Sequence, residues 1–128
     1  MTPSGRLLLD THVFIWWRSN SPLLGREARA AIASADLVFV SVASAWEAAI
    51  KIALGKLRLP ESFEVGVIAS RFERLPIAFA HAEAVASLPH HHTDPFDRML
   101  VVQCLSERLT LVTHDRRLAA YGVDIVWA

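Results

Sequence analysis

The chain has 128 residues, 53% hydrophobic and 20% charged, a composition that excludes intrinsic disorder and leaves room for one compact domain spanning 1–128. Thirteen basic residues balance thirteen acidic ones, which excludes a polybasic protein that holds nucleic acid by bulk charge. The single cysteine, Cys104, excludes an intramolecular disulfide and a cysteine-based zinc site.

The first apolar stretch, Leu7-Leu8-Leu9, is cut by Asp10 and His12 and is too short and too polar for a secretory signal. The richest run, 37–50, contains Ser41, Ser44 and Glu47 and falls short of the roughly 20 residues that a membrane span needs. A reduced, soluble, cytoplasmic protein with no membrane partner is expected. Short apolar runs at Arg6–Leu9, 37–40 and 109–113, with a weaker one at 123–126, predict strands buried on both faces. Helical spacing at 26–35, 42–54, 80–88 and 95–108 falls between them, with Gly55 where the second helix would be capped. Strands alternating with helices predict an α/β fold, a mainly parallel sheet of four or five strands covered by helices on both sides.

Asp10 ends the first strand and Asp115 follows the strand at 109–113, so both stand at the carboxyl ends of strands, where open parallel sheets bind ligands. Helix capping is the plainer role for each taken singly. Glu47 lies on the same helical face as Ala43, Ile50 and Leu54, an unusual place for an acid unless it is paired, snorkels, or holds a metal; Lys51 at i+4 is the available partner. In His92-Thr93-Asp94-Pro95-Phe96-Asp97, Asp94 suits an N-cap and Pro95 the first helical position. Asp97 takes the third position and heads the stripe Leu100, Val101, Cys104, Leu105 expected to face the sheet. Four carboxylates from four segments repel one another unless a cation joins them, and all-oxygen ligands suit Mg²⁺ or Mn²⁺. Such ions activate water and neutralise a phosphodiester during hydrolysis.

Other residues read more plainly. His90, His91 and His92 suit a polar loop running into the helix cap rather than a metal site. Trp16 and Trp17 suit the core or a dimer contact better than base stacking, Trp46 suits the core, and His12 and His114 flank proposed ligands at the edge of a groove. Arg116 and Arg117 divide evenly between phosphate contacts and a solvated helix face. Arg98 suits either an RNA contact or a surface ion pair.

With these residues in place, the stretches LLLDTHVFIWW (7–17), SVASAWEAAIKIALGKLRLP (41–60), HHHTDPFDRMLVVQCL (90–105) and LTLVTHDRRLAAYGVDIVWA (109–128) are similar to those of the PIN-domain ribonucleases. More closely, they resemble the VapC toxins of type II toxin–antitoxin pairs, over almost the whole chain. The resemblance implies a three-layer α/β/α sandwich and Mg²⁺-dependent cleavage of RNA, with Mn²⁺ as a substitute. It carries the family's acids onto Asp10, Glu47, Asp97 and Asp115. Asp10 and Asp97 become the principal metal ligands, Glu47 and Asp115 bind directly or through water, and Asp94 is the substitute for Asp97. Thr113, Arg116 and Arg117 become substrate contacts. The resemblance also implies a homodimer silenced by a cognate VapB-like antitoxin. A catalytically silent module binding RNA or protein, and a nuclease acting on DNA, are the competing readings; filled positions for all four acids favour the enzyme, and the short chain leaves little room for DNA-binding insertions.

Overall fold

The computed structural model describes residues 5–128. Its strands are β1 (Arg6–Leu9), β2 (Leu37–Ser41), β3 (Glu73–Leu75), β4 (Thr110–Thr113) and β5 (Ile125–Trp127). They form one sheet in the order β3-β2-β1-β4-β5, with every neighbouring pair parallel. The helices are α1 (Thr11–Arg18), α2 (Arg26–Ser34), α3 (Val42–Ala53), α4 (Phe63–Ala69), α5 (Phe79–Ala84) and α6 (Pro95–Glu107), with short 3₁₀ helices at Val85–Ser87 and Arg116–Tyr121.

Successive strand side chains point to opposite faces of a sheet, and β1 is apolar on both. Leu7 and Leu9 enter one core with Val13, Phe14, Ala28 and Ile32 from α1 and α2. Leu8 enters the other with Ala43, Leu100, Val101 and Leu111. A sheet with helices packed on both faces is the expected three-layer architecture. Among the described residues, no helix is long and apolar enough to cross a membrane.

Strand order reverses at β1, whose neighbours are β2 on one side and β4 on the other. The crevice beyond the carboxyl ends of β1 and β4 is therefore the topological switch point, where parallel sheets place ligands. Asp10 directly follows β1, and its backbone N–H continues the ladder to the Val112 carbonyl at 3.0 Å. The residues after β1 and after β4 thus stand side by side at one end of the sheet.

Several expectations need correction. The periodicity missed β3 and α4. The stripe on α6 does not include Leu105, which is half exposed; burial instead runs through Arg98 and from Leu100 to Cys104, because α5 and the first 3₁₀ helix cover the side of α6 away from the sheet. Arg98 makes neither a surface ion pair nor an open RNA contact. It is 6% exposed, and its guanidinium donates to the Val85, Leu88 and Pro89 carbonyls and to the Tyr121 hydroxyl. Trp46 is 60% exposed rather than core, meeting the Phe96 ring edge-on at 5.1 Å. Trp16 and Trp17 are partly buried and pack against the α1–α2 core.

Candidate active site

Capping decides where Asp10 points. As the N-cap of α1 it accepts the Val13 N–H on Oδ1 at 2.8 Å, which turns its Oδ2 toward β4. There the Thr113 hydroxyl donates to Oδ2 at 2.6 Å and accepts the Asp115 N–H at 3.1 Å. Thr113 is fully buried, so its hydroxyl serves these two acids and does not reach solvent. Asp10 is 6% exposed, and burial raises its pKa above the ordinary carboxylate value against the pull of the Thr113 and Val13 hydrogen bonds.

Glu47 comes from the middle of α3. The buried stripe of this helix is Ala43, Ser44, Glu47 and Ala48, while Ile50 and Leu54 are exposed, so the apolar face expected around Glu47 is only half present. Its Oε1 accepts the Thr11 hydroxyl at 2.6 Å and its Oε2 lies 3.2 Å from the Lys51 ammonium. The carboxylate is thereby held at the inner end of the stripe, on the wall of the crevice.

At the start of α6 the two neighbouring acids do different work. Asp94 is the N-cap, with Oδ1 accepting the N–H groups of Phe96 and Asp97 at 2.8 and 3.0 Å. Asp97 makes no such cap. Burial, then the charges of Asp94, Asp10 and Glu47, push its pKa up to about 7, with His92 pulling the other way.

His92, expected to be ordinary loop, is the site residue that the sequence did not reveal. Only this member of the histidine run turns inward, to 6% exposure, whereas His90 and His91 are exposed. Its Nδ1 accepts the Asp94 N–H at 3.0 Å, which leaves the proton on Nε2. Nε2 then donates to Asp115 Oδ2 at 2.9 Å and stands 3.5 Å from Asp97 Oδ2. Donor atoms of His92, Asp97 and Asp115 lie within 4.8 Å of one another. The available signal was local: a histidine two residues before an N-cap is placed to accept that cap's own N–H.

Asp115 caps the second 3₁₀ helix, and Arg117 grips it with Nε and Nη2 at 3.0 and 2.9 Å. That bidentate pair, aided by His92, holds the Asp115 carboxyl well below the usual range. Arg116 instead lies 4.2 Å from the centre of the Trp127 ring. All four acids, with Asp94, His92, Lys51, Arg116 and Arg117, line one open cleft of about 410 Å³.

The donor set fits a hard divalent cation. Both nitrogens of His92 are engaged within the protein, which leaves carboxylate oxygens as the free donors, the ligands that Mg²⁺ and Mn²⁺ take. An acid raised to about 7 by burial, and then by three neighbouring acids, marks a place where positive charge is wanted.

Residues 7–124 match the family model of the PIN domain. The chain is 30% identical over 118 residues to Ribonuclease VapC22 of Mycobacterium tuberculosis, covering 90% of this chain and 91% of that protein. Two solved structures share the fold: VapBC2 of Rickettsia felis bound to a promoter DNA fragment and DNA-bound VapBC of Salmonella typhimurium. The first has a TM-score of 0.71 at 14% identity and covers 95% of this chain and 98% of that one. The second has a TM-score of 0.70 at 20% identity and covers 95% and 97%. With a parallel sheet that gathers four acids at its switch point and a family match along nearly its whole length, the chain belongs to the PIN domain family, among the VapC proteins.

Proposed function

We propose that this protein is a divalent-metal-dependent endoribonuclease, the toxin of a type II toxin–antitoxin pair, working in the cytoplasm as a homodimer until a cognate VapB-like antitoxin blocks its cleft. The observation that carries the reading is the meeting of Asp10, Glu47, Asp97 and Asp115 from four separate elements in one cleft. The name of the Mycobacterium tuberculosis relative supports RNA as substrate, and the VapBC complexes among the fold neighbours support the antitoxin.

Asp10 and Asp97 would hold Mg²⁺ or Mn²⁺, with Glu47 and Asp115 completing the site directly or through water. When bound, such an ion supplies an activated water and neutralises charge on the phosphodiester. The protein's own residues prepare the place. Thr113 and Val13 fix the rotamer of Asp10 by engaging one oxygen each. Thr11 and Lys51 hold Glu47 at the wall, and His92 with Arg117 keeps Asp115 ionised and oriented. Lys51, Arg116 and Arg117 set positive charge around the acids, where a polyanionic substrate must pass.

The test is incubation of total RNA with purified, antitoxin-free protein in Mg²⁺, Mn²⁺ or EDTA, beside Asp10→Asn. Discrete fragments that need the metal and are absent with Asp10→Asn are expected. A folded, metal-loaded protein that leaves several RNA pools intact would overturn the reading.

A further inference from the structure

We propose that His12, Trp16 and His114 form a nucleobase-binding subsite beside the acids, so that the substrate is RNA with an unpaired base next to the scissile phosphate. The inference rests on the ribonuclease reading and adds a specificity element to it.

The three rings form one aromatic cluster. The Trp16 and His114 centroids are 5.0 Å apart and tilted by 50°, His12 and Trp16 are 6.2 Å apart, and His12 and His114 are 6.4 Å apart and nearly perpendicular. Trp16 packs against the core and gives the cluster a rigid floor. His12 and His114 are exposed, and both line the cleft that holds the acids.

Their position is fixed by the sheet. β1 pairs with β4 so that Leu9 faces Val112, and Asp10 and Thr113 follow as a hydrogen-bonded couple. His12 is two residues beyond Asp10 and His114 one beyond Thr113, so both rings are tied by short backbone to the couple that anchors the site. Among the described residues, neither imidazole has a hydrogen-bond partner, which leaves ring nitrogens free for a base edge. These exposed rings contribute little to the core, whereas every base offers a π-face to stack upon them. Only an unpaired base can be splayed out to do so, the form in which RNA loops are commonly read.

The experiment measures, by fluorescence anisotropy in EDTA, binding of labelled RNA hexamers and of an abasic ribose-phosphate hexamer to wild type and to His12→Ala/His114→Ala. Both substituted residues are exposed, and far-UV circular dichroism checks the fold. The expected result is about tenfold weaker binding of base-bearing RNA by the double variant. The abasic hexamer should bind weakly and equally to both proteins. Equal affinity of the two proteins for base-bearing RNA, or no binding of RNA by wild type, overturns the subsite. If wild type cuts RNA with Mg²⁺ while its affinity ignores the bases, the subsite alone fails. If base-dependent binding is seen without any metal-dependent cleavage, the subsite stands and the ribonuclease reading fails.

Discussion

Asp97 is the cleft acid that burial, and then the charges of Asp94, Asp10 and Glu47, hold protonated near neutrality. Its folded pKa of about 7 lies above the ordinary 3.8, so the folded state holds a proton that the unfolded chain releases earlier. Stability of the metal-free protein is therefore fullest below about pH 4 as far as this group is concerned, and it is lost as pH rises through 7. Thermal unfolding in EDTA should show wild type losing stability between pH 5 and 8, and Asp97→Asn losing much less; parallel curves would contradict the assignment. His92 acts through others, by bridging Asp115 and Asp97. Removing such an orienting partner costs metal affinity or activity about 10- to 100-fold. His92→Ala should show that loss in Mn²⁺ titrations and in cleavage, and His92→Gln, which keeps a donor, should recover part of it; a variant with wild-type metal affinity and rate would rule the role out. Asp10, Glu47, Asp97 and Asp115 were legible because each sits at a recognisable place in an element. His92 and Arg98 were not, because their partners are set by tertiary folding: Asp115 lies 23 residues from His92, and Arg98 is wrapped by carbonyls contributed by a preceding loop and 3₁₀ helix.

At the scale of elements, the start of α6 shows one turn performing two tasks. Asp94 satisfies two backbone donors, and that capping frees Asp97 to face the other acids. Asp94→Ala should cost about 1 kcal/mol in chemical denaturation at pH 5, where the proton on Asp97 removes most of the repulsion between the two. No loss at that pH would mean the cap contributes nothing. The long, strongly patterned elements α2, α3 and α6 and strands β1, β2 and β4 fall within a residue or two of their predicted bounds. β3 escaped because its three residues, Glu73-Arg74-Leu75, carry a single buried apolar side chain. α4 escaped because seven residues interrupted by Gly66 show too little of a helical stripe. Trp46 stands outside the core because it shares the exposed side of α3 with Val42 and Ile50, four residues to either side, and an apolar side chain on a helix does not itself say what covers it.

Across the whole molecule, function follows from topology. A parallel sheet whose order reverses at its central strand leaves a crevice at the ends of β1 and β4, and helices starting from that end deliver to it an N-cap acid, Asp10 of α1, and a first-turn acid, Asp97 of α6. The architecture was readable in advance because buried strands alternating with amphipathic helices admit few other arrangements. The geometry within the crevice was not, since the Asp10–Thr113–Asp115 chain of hydrogen bonds depends on the register of strands about a hundred residues apart in sequence. The central claim is that this crevice binds a divalent cation through its carboxylates. Calorimetric titration of Mn²⁺ into metal-free wild type and Asp10→Asn at pH 7.5 tests it most directly. A saturable site in wild type, weakened at least tenfold by Asp10→Asn, is the result predicted; no saturable binding to wild type, or equal binding to both proteins, would contradict it.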